Sequence, residues 1–405
     1  LSLSKLFQRA RPEDRFAEQV MHSLREKGWR RPLSYDPRRL EIDLGDEQGV
    51  LNLGNIFEGW TGLSRRDRHE LLERTVGMVL ELESDEADTF ADVAPRLFPV
   101  VRNLAHLQGA GLHGEDQPSL DFALPYERVV GPLSALVAVD GVHSIRLVSR
   151  DTVNRWGQPF EVLMDRAMAN LAARSAANFI EVQEGFYVSS YDDTYDSSRL
   201  LMPELFRTLP LRGLPVAVAP LRNTIAVAGS EDMVALNAMA AFVVDALAEA
   251  SRPIAYAPFV LQGGRWSRFE PQSAELGAVR DLNIRQALWD YGLQTPLLGR
   301  YFEASGQEMF VAPLDVAGPA EWAHTWTTWT EGVPAILPKA DVLGLTDQAG
   351  RTLMRRWSDV EAVCGAFETD DAFHPPRFRP PAWPSAEEWK RLEAEFPTPH
   401  DWPET

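Results

Sequence analysis

The chain has 405 residues, 45% of them apolar, with 59 acidic against 40 basic side chains and a formal net charge of −19. That length and apolar content suffice for two or three domains with real cores, and the charge excludes nucleic acid as a default partner, because phosphate contacts need a basic face. The single cysteine, Cys364, excludes an intrachain disulfide and a cysteine-based zinc site and fits a reducing compartment.

The opening LSLSKLFQRARPEDRF has no apolar run of signal-peptide length. The longest apolar stretch, Met233 to Leu247, is broken by Asn237 and Asp245 and is too short to span a bilayer. A cytoplasmic protein with no membrane partner is expected. Only Lys5, Lys27, Lys339 and Lys390 are lysines, so almost all positive charge is arginine.

Residues 12 to 105 read as mainly helical. Phe16, Val20 and Leu24 recur every four residues before Gly28, and Leu71, Leu72, Val76, Val79 and Leu80 form a second stripe. Leu40 to Leu53, alternating around Gly45 and Gly49, predicts a short hairpin, and Gly109 to Gln117 predicts a loop. From Phe122 strands dominate. Asp140-Gly141 suits the tight turn of a hairpin between Leu136–Val139 and His143–Val148. Pro159 to Ala173 predicts a helix, and Pro220-Leu221-Arg222-Asn223 a turn between two more apolar runs. Ser230 is the expected N-cap of a helix to Ala250 that buries Met233, Leu236, Ala240, Val243 and Leu247. Gly263-Gly264 closes a third hairpin. Beyond Asp371 the chain is rich in Pro and Trp, with Ser385 and Glu388 spaced as a capping box; such a tail is expected to dock on its own domain.

Two segments about 120 residues apart resemble each other. Residues 186 to 229 and 309 to 346 each give an apolar run, a spacer, Gly-x-Pro (Gly213, Pro215; Gly332, Pro334), a second run, a Pro-led turn and a third run. The pattern predicts one strand-based unit used twice.

The motifs for familiar chemistry are incomplete. Gly109-Ala-Gly111-Leu-His-Gly114 matches G-x-G-x-x-G, but no strand is predicted before it and Glu115-Asp116 follow where a pyrophosphate would sit. There is no Gly-Lys dipeptide for a P-loop, no G-x-S-x-G elbow and no H-E-x-x-H zinc helix. His106 and His113 are too few for a metal site. Asp192, Asp193 and Asp196 could share acid–base or cation work, but lack the glycine and terminal glutamate of a calcium loop. The simpler reading has Asp193 and Asp196 capping a turn into a helix from Ser198 to Arg207, with Arg199 pairing back to one of them.

Leu97-Phe98-Pro99-Val100-Val101-Arg102, the hairpin strand ending Ile145-Arg146-Leu147-Val148, and Asp193-Thr194-Tyr195-Asp196-Ser197-Ser198-Arg199 together resemble the YtpQ-like family of uncharacterised bacterial proteins, over about residues 60 to 272. Pro220-Leu221-Arg222-Asn223 is similar to that family's P-H-x-D turn. Thr194 replaces the family glycine, leaving that turn less free to take positive φ, and Leu221 and Asn223 replace its histidine and aspartate. The resemblance implies relatives but no reaction.

The expectation is an α+β protein: a mainly helical region over 1–117, a central antiparallel mixed domain over 118–285, a second unit over 286–370 partly repeating it, and a tail over 371–405. The leading functional expectation is a non-catalytic cytosolic bacterial protein, needing no cofactor or metal, whose acidic surface docks another protein of basic character. The alternative is an enzyme or small-anion binder using Asp193, Tyr195, Asp196 and Arg199, with Arg102 and Arg222.

Overall fold

The computed structural model describes residues 11–398 apart from 46–49, 61, 86–87, 113–118, 143, 249, 251–252 and 319–322. It is an α+β fold with a helical N-terminus. The chain divides into two compact units, one comprising residues 1–97 with 138–147, the other 98–137 with 148–405.

In the first unit, helix Pro12–Glu26 turns Phe16, Val20 and Leu24 inward, as their spacing requires. They meet Val76 and Val79 of helix Arg65–Asp85, and Ile42 and Leu51 of a three-stranded sheet whose last two strands, Glu41–Asp43 and Val50–Asn52, are the expected hairpin. The hairpin expected at Asp140-Gly141 also forms, pairing Ala138 with Leu147, but its turn is wider than that dipeptide: Asp140 stays in the ladder opposite Ile145, and the Gly141 N–H donates to the Ser144 carbonyl at 2.8 Å. His143, in its turn, lies outside the described residues.

The second unit centres on a six-stranded antiparallel sheet. Its order is Arg265–Arg268, Phe259–Gln262, Pro215–Leu221, Thr224–Gly229, Phe186–Ser189, Phe179–Gln183. Helix Met233–Ala248 covers one face, packing Leu236, Met239, Ala240 and Val243 onto Val216, Val218, Ala226 and Ala228. Its cap is Asp232, whose Oδ1 accepts from the N–H of Ala235 at 3.1 Å. The expected cap, Ser230, instead accepts from the N–H of Leu214 at 2.9 Å, tying the helix entry to the strand before it. The helix starts later than expected, and Met233 is left exposed.

Helix Gly277–Ala304 follows, 28 residues long, so the expected boundary at 285/286 falls inside it. Beyond it lies a four-stranded mixed sheet ordered Asp315–Ala317, His324–Thr330, Val342–Thr346, Thr352–Arg356. Helices Trp357–Cys364 and Ala386–Glu395 close its core around Trp329, Leu343, Leu345, Trp357, Trp389 and Leu392. Ser385 and Glu388 form the capping box, and the tail docks on this core as expected; Trp402 lies outside the described residues.

The expected duplication fails on topology. After Gly213 the two apolar runs pair with each other as an antiparallel hairpin. After Gly332 they do not: Ala335–Ile336 pairs in parallel with Phe310–Val311, and Val342–Thr346 pairs in parallel with His324–Thr330. Both glycines have positive φ, 85° and 76°, so the shared text records a turn and not a shared sheet. Their surroundings differ too. A Cβ on Gly213 would lie 2.5 Å from the Ser230 hydroxyl, whereas one on Gly332 would meet nothing nearer than 3.8 Å.

Two further expectations are corrected. Residues Leu104–Leu112 are helical, so the predicted loop is wrong over Gly109–Leu112, and the rest of it lies outside the described residues. Gly109 serves helix packing there: a Cβ would stand 3.2 Å from Leu293 on the long helix. The predicted helix from Ser198 to Arg207 is two short pieces, a 3-10 turn Asp196–Leu201 and one helical turn Pro203–Phe206, because Pro203 cannot continue a helix from Met202.

Candidate functional site

The Asp193–Arg199 segment is built as a buried clamp. The Arg199 guanidinium, fully buried, donates to both Asp193 oxygens at 2.9 and 2.7 Å, to Ser175 Oγ at 2.9 Å and to the Arg174 carbonyl at 3.3 Å. Its other face lies 3.5 Å from the centre of the Tyr191 ring. Burial pushes the Asp193 carboxyl up, but the hydrogen bonds from Arg199 and the Tyr195 N–H, with the Arg199 charge, outweigh it and hold the group below the usual carboxylate range. Thr194 takes φ 61°, so the turn is left-handed although a threonine stands there.

The other candidates sit around this turn. Asp196 accepts from the Tyr191 N–H at 3.4 Å, and the Tyr195 ring packs 4.9 Å from Phe98. Arg222 meets the turn through its carbonyl, which accepts from Ser197 N–H at 3.0 Å. Arg102 donates to the Val101 carbonyl at 2.8 Å on strand Leu97–Asn103. None of the six lines the large cleft of this unit.

That cleft, of about 1040 Å³, lies against one face of helix Gly277–Ala304. Its walls come from strand Glu127–Val130, from Phe259 and Arg268 of the six-stranded sheet, from His324–Thr325 of the C-terminal sheet and Lys339–Asp341 just before its strand Val342–Thr346, and from the start of helix Trp357–Cys364.

Its deepest part is polar and preorganised. Asp290 is 3% exposed, and its carboxylate accepts from the Asn103 and Gln286 amides, each at 2.8 Å. Gln286 is oriented by accepting from the N–H groups of Tyr256 and Ala257 at 2.7 and 3.2 Å. Burial with only neutral donors raises the Asp290 carboxyl to about 7, the two hydrogen bonds pulling the other way. Next to it, the Tyr291 hydroxyl donates to the Pro376 carbonyl at 2.9 Å and accepts from the Lys339 N–H at 3.2 Å.

The mouth is cationic. Lys339 carries its ammonium 4.2 Å from the Trp357 ring centre. Burial lowers its pKa, against the charges of Glu361 and Asp341. Arg356 is exposed at the entry of helix Trp357–Cys364. Arg128 contacts His374 Nδ1 at 3.3 Å. A guanidinium can only donate, so Nδ1 is the acceptor and the ring proton sits on Nε2, facing the Tyr126 hydroxyl at 3.3 Å. Burial and the Arg128 charge push His374 down to about 4, so the ring is neutral in ordinary buffers.

Five cations line the cleft (Arg128, Arg268, Arg280, Lys339, Arg356) against four acids (Glu270, Asp290, Asp341, Glu361). In a chain of net charge −19 this is a local reversal. Two of the acids are also engaged: Glu270 pairs with Arg268 at 2.8 Å, and Asp341 accepts from the Thr325 N–H and hydroxyl.

Among the described residues no three His, Cys, Asp or Glu side chains converge to hold a metal. His106 packs edge-on against Trp289 at 3.9 Å and burial pushes it down to about 4; His113 lies outside the described residues. The chain matches no family model, no curated protein and no solved structure.

Sequence reasoning missed the cleft. One signal for its floor was present: Asn283, Gln286, Asp290 and Gln294 recur at three- and four-residue spacing, a buried polar line in a long helix. The mouth had only the rarity of lysine to mark Lys339.

Proposed function

We propose that this protein is a binding protein whose cleft takes a small organic anion with an apolar body. The observation that carries the reading is the gathering of Lys339, Arg356 and Arg128 at the mouth of a cavity that also presents Phe259, Ile284 and Trp357. Its volume is that of sites enclosing small molecules, which combine apolar walls with a few placed polar groups. Among the described residues no ion pair joins Lys339 or Arg356 to a carboxylate, so both charges are available to an incoming anion.

The test uses 8-anilinonaphthalene-1-sulfonate, an aromatic sulfonate of suitable size. It should bind the folded protein saturably with one dominant site. The double substitution Lys339→Ala with Arg356→Ala should weaken that site by about tenfold, the loss of two charge-assisted contacts at a partly screened mouth. Affinity unchanged in a folded double variant sinks the proposal.

A second reading, docking of another protein, has its own support. The outer strand Phe179–Gln183 leaves Ile180 and Val182 56% and 58% exposed at a sheet edge, a surface suited to strand addition. Affinity capture from the native host that is lost with Ile180→Asp would support it; capture indifferent to that change would not. Kinship with the YtpQ-like family, proposed on the Leu97–Arg102 and Asp193–Arg199 segments, supplies neither ligand nor partner.

A further inference from the structure

The cleft holds charges of opposite sign at two depths. Arg128, Lys339 and Arg356 are exposed at its mouth, while Asp290 is buried at its floor. The donors to the Asp290 carboxylate, Asn103 and Gln286, are neutral amides. Among the described residues those contacts occupy one lone-pair position on each oxygen, and no further donor reaches either. Among the described residues no ion pair joins Asp290 to a cation. A carboxylate so placed gains most from a ligand that brings positive charge, because the attraction is strong where water is excluded.

The two depths are held in one frame. Tyr291, the residue after Asp290, accepts through its hydroxyl from the backbone N–H of Lys339 at 3.2 Å. The backbone of Lys339 is therefore anchored to the turn of helix that carries Asp290, which places the base of the mouth cation beside the floor carboxylate's helix before a ligand arrives.

We propose that the ligand is a zwitterion of the amino-acid type, its ammonium received by Asp290 and its carboxylate or other anionic group by Lys339 and Arg356, with its apolar body against Phe259 and Trp357. The inference rests on the reading of the cleft as an anion site and adds the second, cationic group. Asn103 and Gln286 are positioning residues: they hold the carboxylate in place and leave its free lone pairs for the ligand.

The experiment is displacement of bound 8-anilinonaphthalene-1-sulfonate by L-tryptophan, N-acetyl-L-tryptophan and tryptamine. These carry both charges, the anion only and the cation only. On the wild-type protein L-tryptophan should displace the dye at least about tenfold more effectively than either of the others, as expected for a charge-assisted hydrogen bond made at each end. In Asp290→Asn the advantage of L-tryptophan over N-acetyl-L-tryptophan should vanish while dye binding persists. Because the wild-type comparison decides the matter, a variant that fails to fold does not rescue the proposal. Dye bound normally but displaced equally by free and acetylated amines, or by none of the three, overturns the zwitterion and leaves the anion site standing. Absence of dye binding fails both.

Discussion

Replacing Arg199 by alanine tests whether the Asp193–Arg199 segment is a structural clamp or a site awaiting a ligand. The guanidinium is fully buried and makes four hydrogen bonds, two of them to Asp193, while its face covers Tyr191. Its removal leaves a partly buried carboxylate with the Tyr195 N–H at 3.0 Å as its named donor. Breaking such a pair on one side costs about 3–5 kcal/mol. The Asp193 side chain retains 23% exposure, so water relieves part of the loss. The lower end, about 3 kcal/mol, is the expected cost. For a unit of this size that corresponds to a fall in Tm of about 6 °C.

The pH dependence has a definite sign. The Asp193 carboxyl titrates lower in the folded protein than in the unfolded chain. Its contribution is therefore present above the unfolded value of about 3.9 and is lost as pH falls through the folded one. Urea denaturation should show a constant deficit for Arg199→Ala between pH 8 and pH 5, narrowing below about pH 4. A variant that melts with the wild type at pH 7 would refute the clamp and make the segment a candidate site again.

Three other outcomes follow from named residues. Asp290 is raised to about 7 in the fold, so its contribution is fully present below about pH 3.9 and is lost as pH rises toward 7. Asp290→Asn should therefore gain on the wild type by roughly 4 kcal/mol between pH 4 and pH 8, read from parallel urea midpoints; a pH-independent difference would contradict the burial argument. Gly213→Ala should destabilise by about 2 kcal/mol or more, combining positive φ with a clash on Ser230, whereas Gly332→Ala should cost about 1 kcal/mol for its φ alone. Equal losses at the two glycines would contradict their different surroundings. Finally, a gel-shift with duplex DNA at physiological salt should show no complex, given the charge of −19; micromolar binding with a steep salt slope would contradict it.

What was legible in the sequence is what neighbouring residues decide. The hairpin expected at Asp140-Gly141 formed with a wider turn, Asp140 itself pairing with Ile145; those closed by Pro220–Asn223 and Gly263-Gly264 formed as read, since turn chemistry is local. The helix carrying Phe16, Val20 and Leu24 and the Ser385–Glu388 capping box formed for the same reason. The pairing of Asp193 with Arg199, six residues apart, was also within reach. The parallel ladder between His324–Thr330 and Val342–Thr346 was not, because an apolar run does not name its partner. Nor was the cleft, whose floor and mouth come from segments as far apart as Asn103 and Asp290, 187 residues away.

The polar face of helix Gly277–Ala304 also bears on how this chain can have changed over time. Gln286 and Asp290 hold the backbone near Tyr256 and the side chain of Asn103, while Gln294 bonds Pro375 and Arg377. Arg377, fully buried, is received by Gln294, Thr295 and the Ala312 carbonyl. One helix thus satisfies buried polar groups on both its N-terminal and C-terminal sides. A shuffling event that removed the residues after Ala304 would strand Gln294, and one that borrowed them would carry Arg377 into a host without Gln294 and Thr295. The residues after Ala304 can therefore be inherited or lost only together with a rewriting of that helix face, which makes them a poor detachable module.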